Sequence, residues 1–501
     1  MSPPSLDSQL ETLIERVGGL LQDYLLSAED RDAPVVRFAG PEPLGEAFRQ
    51  AGVGLELDAP QAPRPVEALV RAVEATLAHS VRTQHPRFFN QNFAGADPVA
   101  VLGDQVAAAL NTTVATYEVA PVFTLMEKAV VARLARVAGL SPAEGVLNPG
   151  GSLSNLSALH LARHRALPEV LQRGLQGAPR LVAFTSEQAH FSLERAMALA
   201  GLGRESLIKV PCDTAGRMRP DALEAAVRES RARGERPFFL NATAGTTVLG
   251  AFDSLPELAA VAKAHGLWLH VDGCHGASVL FSERHRHLMK GVEAADSLVW
   301  NPHKMLGVTQ QCSVLLVRHP GLLRECFSTK AAYLFQQDKN HVELDLGELT
   351  YLCARRADSF KLWLTWKARG DEGFGRRVDH ALELAAYAVE RMKADGTGRF
   401  RLAFPPSFSH VCFWWVPPDL RPLGEEAWRE PAVHARLHRL SVAIKNQMQR
   451  EGTMLVGYQP LAGRPNFFRL LFINPAVTRE DVDTALALLD RYGTEADAAS
   501  R

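Results

Sequence analysis

The sequence predicts an α/β protein with a large domain built on a mostly parallel sheet and a smaller α/β domain after it. Three observations predict this. From about Pro86 to Lys367, short apolar runs alternate with stretches of helical periodicity. A similar alternation resumes after the aromatic segment Phe360–Trp366. At 501 residues the chain is also too long for one simple core, so two or three domains are expected.

The elements follow in order. Leu6, Leu10, Leu13, Ile14, Val17, Leu20, Leu21 and Tyr24 recur at helical spacing, which predicts an amphipathic helix. Its apolar stripe either packs on the core or lies on a second subunit. The Pro-rich stretches Pro41–Pro43 and Pro60–Pro65 read as a strap. Strands are expected at Leu181–Phe184, Pro237–Leu240, Leu267–Val271, Ser297–Trp300 and Cys312–Val317, with helices such as Leu223–Arg233 and Leu255–His265 between them. The C-terminal part holds a helix at Ala381–Met392, a strand at Val411–Val416 and the apolar run Phe467–Ile473. The expected division is a helical and strap segment over 1–85, a large domain over 86–367 and a small domain over 368–501.

Composition narrows the function. Hydrophobic residues make up 47% and charged residues 22%, as in ordinary globular proteins. The net charge of −1 and the scattered basic residues exclude a nucleic-acid surface or an electrostatic membrane anchor. No apolar run reaches the ~18 residues of a membrane span. The six cysteines are far apart and form no CxxC pair, which predicts free thiols. With Ser-Pro-Pro and acidic residues in place of a leader at the N-terminus, a cytoplasmic protein is expected.

In open α/β sheets, ligands bind beyond the carboxyl ends of the strands. There the sequence places His190, Thr243, Asp272 and Lys304, each just after a predicted strand. Lys304 follows Ser297–Trp300 through Asn301-Pro302-His303, in apolar surroundings. A lysine drawn out of water loses its proton more easily and can attack a carbonyl. A snorkelling surface lysine is the plainer reading of that residue alone. Asp272 ends a strand buried on both faces, so its carboxylate needs a cationic partner. A protonated pyridine nitrogen is one such partner, and capping the next helix is the other reading. Asn148–Asn155 runs into a helix over Leu156–Leu167, with Gly150, Gly151, Ser152 and Ser154 supplying N–H groups and hydroxyls suited to a phosphate. It lacks the Gly-Lys-Ser/Thr element of a Walker loop. His285-Arg286-His287 has no accompanying ligands at metal spacing and reads as a solvated face. No GxSxG, HExxH or GxGxxG motif supports a hydrolase or a nicotinamide dehydrogenase.

These residues, with His85–Gln91, Thr116–Phe123, Asn241–Asp253, Asn301–Gly307, Tyr333–Lys339 and Asn466–Arg469, resemble the group II pyridoxal-phosphate decarboxylases, and most closely glutamate and cysteine sulfinate decarboxylases. The blocks run in order from about residue 85 to 475. The resemblance implies the fold-type I architecture of aspartate aminotransferase, with a seven-stranded central sheet, pyridoxal 5'-phosphate as cofactor, and a homodimer with shared active sites. It assigns Lys304 to the Schiff-base lysine, Asp272 to the pyridine-nitrogen partner and His190 to the residue stacked on the ring. Thr243 lies in the matching loop beside the ring, and Gly151, Ser152 and Asn301 match phosphate contacts. His303, next to Lys304, is counted with the cofactor site. Gln91, Phe93, Thr113 and Arg469 fall on the substrate side. Arg469 suits a carboxylate because its fork binds both oxygens. Tyr333 matches the loop tyrosine, supplied by the partner subunit, that returns a proton to the substrate after carbon dioxide leaves.

Two departures stand out. The family usually carries two alanines and a bulky aromatic after the aspartate, where this chain has Gly273-Cys274-His275. Cys274 is expected to face the ring opposite His190. The change is either a tolerated packing difference or the mark of an altered outcome, such as decarboxylation-dependent transamination or another lyase reaction. Phe93 matches cysteine sulfinate decarboxylases and shortens the pocket, favouring cysteine sulfinate or aspartate over glutamate. A catalytically silent homologue, the remaining alternative, is disfavoured by the intact Lys304, Asp272, His190 and Tyr333.

Overall fold

The computed structural model describes the chain except Met1–Ser8, Asp58–Ala62, Gln337, Ala462 and Arg501. Leu6 of the expected first helix, Pro60 of the strap and Gln337 of the Tyr333 segment therefore lie outside the described residues. In chain order the first eight strands are β1 (Phe88–Phe89), β2 (Glu144–Asn148), β3 (Leu181–Ser186), β4 (Leu207–Val210), β5 (Arg236–Thr243), β6 (Trp268–Asp272), β7 (Ser297–Trp300) and β8 (Ser313–Val317). They are followed by β9 (Phe400–Leu402), β10 (His410–Trp415), β11 (Leu455–Leu461) and β12 (Arg464–Leu471). The five expected strands of the large domain are all present, as β3, β5, β6, β7 and β8.

The chain divides into two compact units, one of Ala96–Ala386 with Phe404–Val411 and one of Met1–Gly95, Tyr387–Ala403 and Cys412–Arg501. The first contains a seven-stranded sheet in the order β2-β8-β7-β6-β5-β3-β4. Its neighbours pair in parallel except β8, which runs against β2 and β7. This is the mostly parallel sheet of the fold-type I enzymes. Strands β3, β6, β7 and β8 are buried at every position, so their unbroken apolar runs reflect a sheet covered on both faces. Ala158, Leu159 and Ala162 of the helix Gly151–Ala166 pack with Ala183, Phe239, Trp268 and Leu315 of the sheet.

Local signals set the helix ends that matter. Gly150, at φ 114° and ψ 155°, holds a backbone that a side chain disfavours, and the helix Gly151–Ala166 starts directly after it. Arg163, His164 and Arg165 in its last turn complement the helix dipole. The helix Leu255–His265 has Pro256 in its first turn and ends at Gly266 in the left-handed region. The separately expected helices at Phe360–Trp366 and Ala381–Met392 lie in two helices within Asp358–Ala394, separated at Gly370, whose φ of 67° and ψ of 177° are not helical.

The second unit carries the five-stranded sheet β1-β11-β12-β10-β9. Here β1 pairs in parallel with β11, and Val35, Val36, Phe88, Ala94, Leu455 and Ile473 form a small core. The expected first helix is present as Leu10–Leu26 and buries none of its residues; Leu10 and Ile14 are exposed. No helix among the described residues is long and apolar enough to cross a membrane.

Candidate active site

Within the seven-stranded sheet, β5, β6 and β7 are adjacent and parallel, with Thr243 opposite Asp272 and Asp272 opposite Val299. Their carboxyl ends therefore deliver Thr243, Asp272 and the Asn301–Lys304 turn side by side. His190 follows β3, which pairs with the other edge of β5. The four strand ends singled out from sequence thus sit along one rim of one sheet.

Asp272 is buried, and its Oδ1 accepts the Cys274 backbone N–H (3.1 Å) while its Oδ2 accepts Asn155 Nδ2 (3.0 Å). Burial pushes its acidity towards the neutral form, but Lys304, the Cys274 side chain, His190 and Asn155 together hold it below the usual carboxylate range. It is a dry anion kept ionised. His190 is half-buried, its Nδ1 accepts the Ser192 backbone N–H (3.3 Å), and burial lowers its basicity against the pull of Asp272. It is therefore neutral near pH 7.

The turn after β7 is tightly tied. The Lys304 N–H donates to Asn301 O (3.0 Å) and the Gly307 N–H donates to Lys304 O (3.1 Å). Gly307, at φ 67°, donates no side chain into the space filled by the Arg377 guanidinium, which bonds to Leu306 O. Asp97 receives Arg369 and, at 3.8 Å, Arg377, and its own N–H donates to Gly307 O (2.8 Å). Sequence reasoning missed this clamp, since nothing near Lys304 in the chain points to Asp97 or Arg377. His303 is fixed by its Nδ1, which lies 2.6 Å from Cys312 O and accepts the Cys312 N–H (3.0 Å). Burial first, then Lys304, lowers it to about 4, and only its Nε2 or ring face is left for a cofactor.

A phosphate and a ring fit what these residues leave open. A Cβ on Gly151 would lie 2.4 Å from Cys274 Sγ and 2.9 Å from Asn301 Nδ2, so only glycine permits this approach of the helix N-terminus to the strand-end loops. Buried Asn301 Oδ1 has no hydrogen-bond partner within the protein. Ser152 stands beside Gly151 in the first turn. Cys274 is buried, and burial followed by the Asp272 charge raises its thiol well above the ordinary value, so it stays protonated. Thr243 is held by its backbone N–H, which donates to Asp253 Oδ2 (2.7 Å). Asp253 takes the Met218 N–H at the same distance and is itself raised to about 6 by burial.

The substrate-side residues are placed as follows. Thr113 Oγ1 accepts the Arg355 N–H (2.9 Å) and donates to Cys353 O (3.5 Å), so its hydroxyl ties two loops together. Tyr333 is 86% exposed, in a segment anchored by Lys339 on Asp345 (2.8 Å). Gln91, Phe93 and Arg469 belong to the second unit. There Gln91 is exposed and Phe93 lies 6.3 Å from Phe88 between ring centroids. Arg469 is buried on β12, where burial lowers it to about 10, and its Nη2 donates to Asn90 O (3.4 Å).

The pyridoxal-dependent decarboxylase conserved domain matches residues 49–416. Human cysteine sulfinic acid decarboxylase is 43% identical over 490 residues, covering 97% of both chains. The bovine acidic amino acid decarboxylase GADL1 is 42% identical over 479 residues, or 95% of this chain and 89% of the relative. The crystal structure of mouse CSAD superposes with a TM-score of 0.92 at 41% identity, covering 97% of this chain and 99% of that one.

Proposed function

The chain belongs to the pyridoxal-dependent decarboxylase family, and from that premise we propose that it removes the α-carboxylate of a small acidic amino acid, with cysteine sulfinate and aspartate preferred to glutamate. The observation that carries this reading is the ionised Asp272 at the end of β6, beside the Lys304 turn on the next parallel strand. Pyridoxal phosphate, when bound, supplies an aldehyde that an amine can hold and a ring that accepts the electron pair left by the departing carboxylate.

In this reading Lys304 is the amine that holds the cofactor, and the Asp97–Arg377 clamp fixes the turn that carries it. Asp272, kept ionised, would favour a proton on the ring nitrogen. His190, neutral, and Cys274 would line the two faces of the ring, and Thr243 would stand beside it. Gly151, Ser152 and Asn301 would hold the phosphate, and His303, fixed through its Nδ1, would complete the cofactor site beside Lys304. Arg469 pairs with a substrate carboxylate, Gln91 and Thr113 line the substrate side, and Phe93 limits side-chain length. Tyr333 gives the substrate carbon its proton once carbon dioxide has left. We assign cofactor binding to 86–367 and a supporting role to the helical and strap segment 1–85, where Pro41–Pro43 opens the helix Pro41–Gln50 and is no strap, and to the 368–501 domain.

A homodimer with shared active sites accounts for two exposed apolar stripes. One is Leu10 and Ile14 on the first helix, and the other is Leu102, Val106 and Leu110 along Pro98–Leu110. It also accounts for the exposure of Tyr333, whose loop would serve the other copy. A cytoplasmic location fits six cysteines that form no disulfide.

A panel of cysteine sulfinate, aspartate and glutamate with measured carbon dioxide release tests the substrate. A glutamate advantage in kcat/KM would refute the preference. Lys304→Ala is expected to lose both the visible absorbance of bound cofactor and the adduct trapped by borohydride. The buried Cys274 thiol beside Asp272 favours a second reading, an altered outcome, which would appear as a carbonyl product in place of the amine.

A further inference from the structure

Behind Asp272 the polar groups of four residues join into one line. Trp268, His270 and Asp272 alternate along β6 and share one face of the sheet. Ser297 opens β7 opposite His270, and Asn155 comes from the first turns of the helix Gly151–Ala166. Trp268 Nε1 donates to Ser297 Oγ (2.8 Å), which lies 2.8 Å from His270 Nδ1. His270 Nε2 lies 3.0 Å from Asn155 Oδ1, and Asn155 Nδ2 donates to Asp272 Oδ2 (3.0 Å). All five residues are buried.

The two ends fix the direction of every link. An indole N–H can only donate, and an ionised carboxylate can only accept. Asn155 therefore turns its NH2 group to Asp272 and its carbonyl oxygen to His270. His270 must carry its hydrogen on Nε2 and accept the Ser297 hydroxyl at Nδ1, which leaves the Ser297 oxygen to receive the indole. Reversing any link sets two donors or two acceptors face to face. The second N–H of Asn155 goes to Ser192 Oγ (2.9 Å), and the Ser192 backbone N–H reaches His190 Nδ1, so one amide steadies both Asp272 and His190. Leu269 and Val271 on the other face of β6 show that the strand itself needs only apolar side chains. Four polar groups in a dry core are costly unless each is paired, and here each is.

We propose that Trp268, Ser297, His270 and Asn155 form a one-way hydrogen-bond relay that keeps Asp272 charged and oriented towards the cofactor's ring nitrogen, which makes His270 and Asn155 positioning residues. This rests on the reading of Asp272 given above and extends it to residues that do not touch the cofactor. The titratable groups facing Asp272 are Lys304, His190 and Cys274, and the one facing His270 is Asp272.

The first test is imidazole nitrogen NMR of the wild-type apoprotein. It should find His270 neutral with its hydrogen on Nε2 from pH 5.5 to 8, and an Nδ1–H tautomer overturns the relay. The second is titration of apoprotein variants with pyridoxal phosphate, following affinity, the pH midpoint of the visible band and thermal stability together. His270→Leu and Asn155→Ala should weaken binding on the order of tenfold or more and shift the midpoint, by analogy with partners that orient metal ligands. His270→Gln, which keeps an N–H for Asn155, should recover part of both. Lower thermal stability with unchanged affinity and midpoint means a merely structural role and overturns the inference. If Asp272→Ala also binds as wild type, the reading of Asp272 itself falls. Unaltered relay variants beside a crippled Asp272→Ala overturn the relay alone. Should the variants fail to fold, the tautomer in the wild-type protein decides.

Discussion

Replacing Gly151 by alanine places a methyl group 2.4 Å from Cys274 Sγ and 2.9 Å from Asn301 Nδ2. Carbon and its non-bonded neighbours settle at about 3.5–4.0 Å, so the sulfur contact is more than 1 Å too close by roughly that measure. The sulfur has little freedom to retreat, because Cys274 is buried and its N–H is bonded to Asp272 Oδ1. Forced overpacking of this kind costs about 1–3 kcal/mol. That cost falls on the folded chain as lost stability, and whatever part the loops relieve by drawing Asn301 and Cys274 out of place appears as weaker cofactor binding. Cys274→Ala removes the sulfur and leaves the milder Asn301 contact, so the double variant should regain most of the loss. Apoprotein titration with pyridoxal phosphate and urea unfolding, run on all four members of the cycle, give the coupling energy. Additive single effects, or a Gly151→Ala protein with wild-type affinity and stability, would refute the reasoning.

Acidification should destabilise the fold between pH 6.5 and about 4. His85, His270 and His303 are each lowered from 6.5 to about 4, by burial first in every case. In that window the unfolded chain binds protons that the native chain refuses, so stability rises with pH and falls as pH drops. Asp253, raised from 3.8 to about 6, acts in the opposite sense, but His160 is lowered to about 4 by burial as well, so it is one group against four. A melting temperature unchanged from pH 7 to 4.5 would contradict this. Glu127→Ala should cost about 3–5 kcal/mol in urea unfolding. It strands the Arg355 guanidinium, whose pairing at 2.9 Å is buried with side chains 3% and 2% exposed; a loss below about 1 kcal/mol would mean the pair behaves as a surface one. Tyr333→Phe should keep the cofactor but lose about 10²–10⁴-fold in amine formation, with a carbonyl product rising relative to carbon dioxide. Unchanged amine yield would remove Tyr333 from the proton-delivery role.

Much of the rim was legible because strand ends are local features. An apolar run followed by a polar residue marks where a strand leaves the core, and Asp272, Thr243 and the Lys304 turn all follow that rule. Asn155 lay inside the glycine-serine stretch already singled out, yet its function could not be read there, since its partners His270 and Asp272 are far along the chain. A hint did exist: alternation along β6 puts His270 on the same face as Asp272, and a histidine in an otherwise apolar strand asks for a partner. Arg377, Asp97 and Arg355 gave no such hint. An arginine reads as solvent-facing, and only tertiary packing reveals that Arg377 is spent on Leu306 O and Arg355 on Glu127 and the carbonyl groups of Leu147 and Val114.

The neighbouring, parallel placement of β6 and β7 has a further effect on how this chemistry tolerates change. Asp272 ends β6 and the turn that carries Lys304 leaves the end of β7, so the spacing of those two strand ends is set by the pitch of the sheet, about 4.8 Å per strand, and not by the length of polypeptide joining them. That connection passes through the exposed Glu283 and Arg284. Chain added or trimmed at that turn alters the path between β6 and β7 while leaving the two strands on adjacent rungs, so the spacing of their ends and the length of the loop can vary independently.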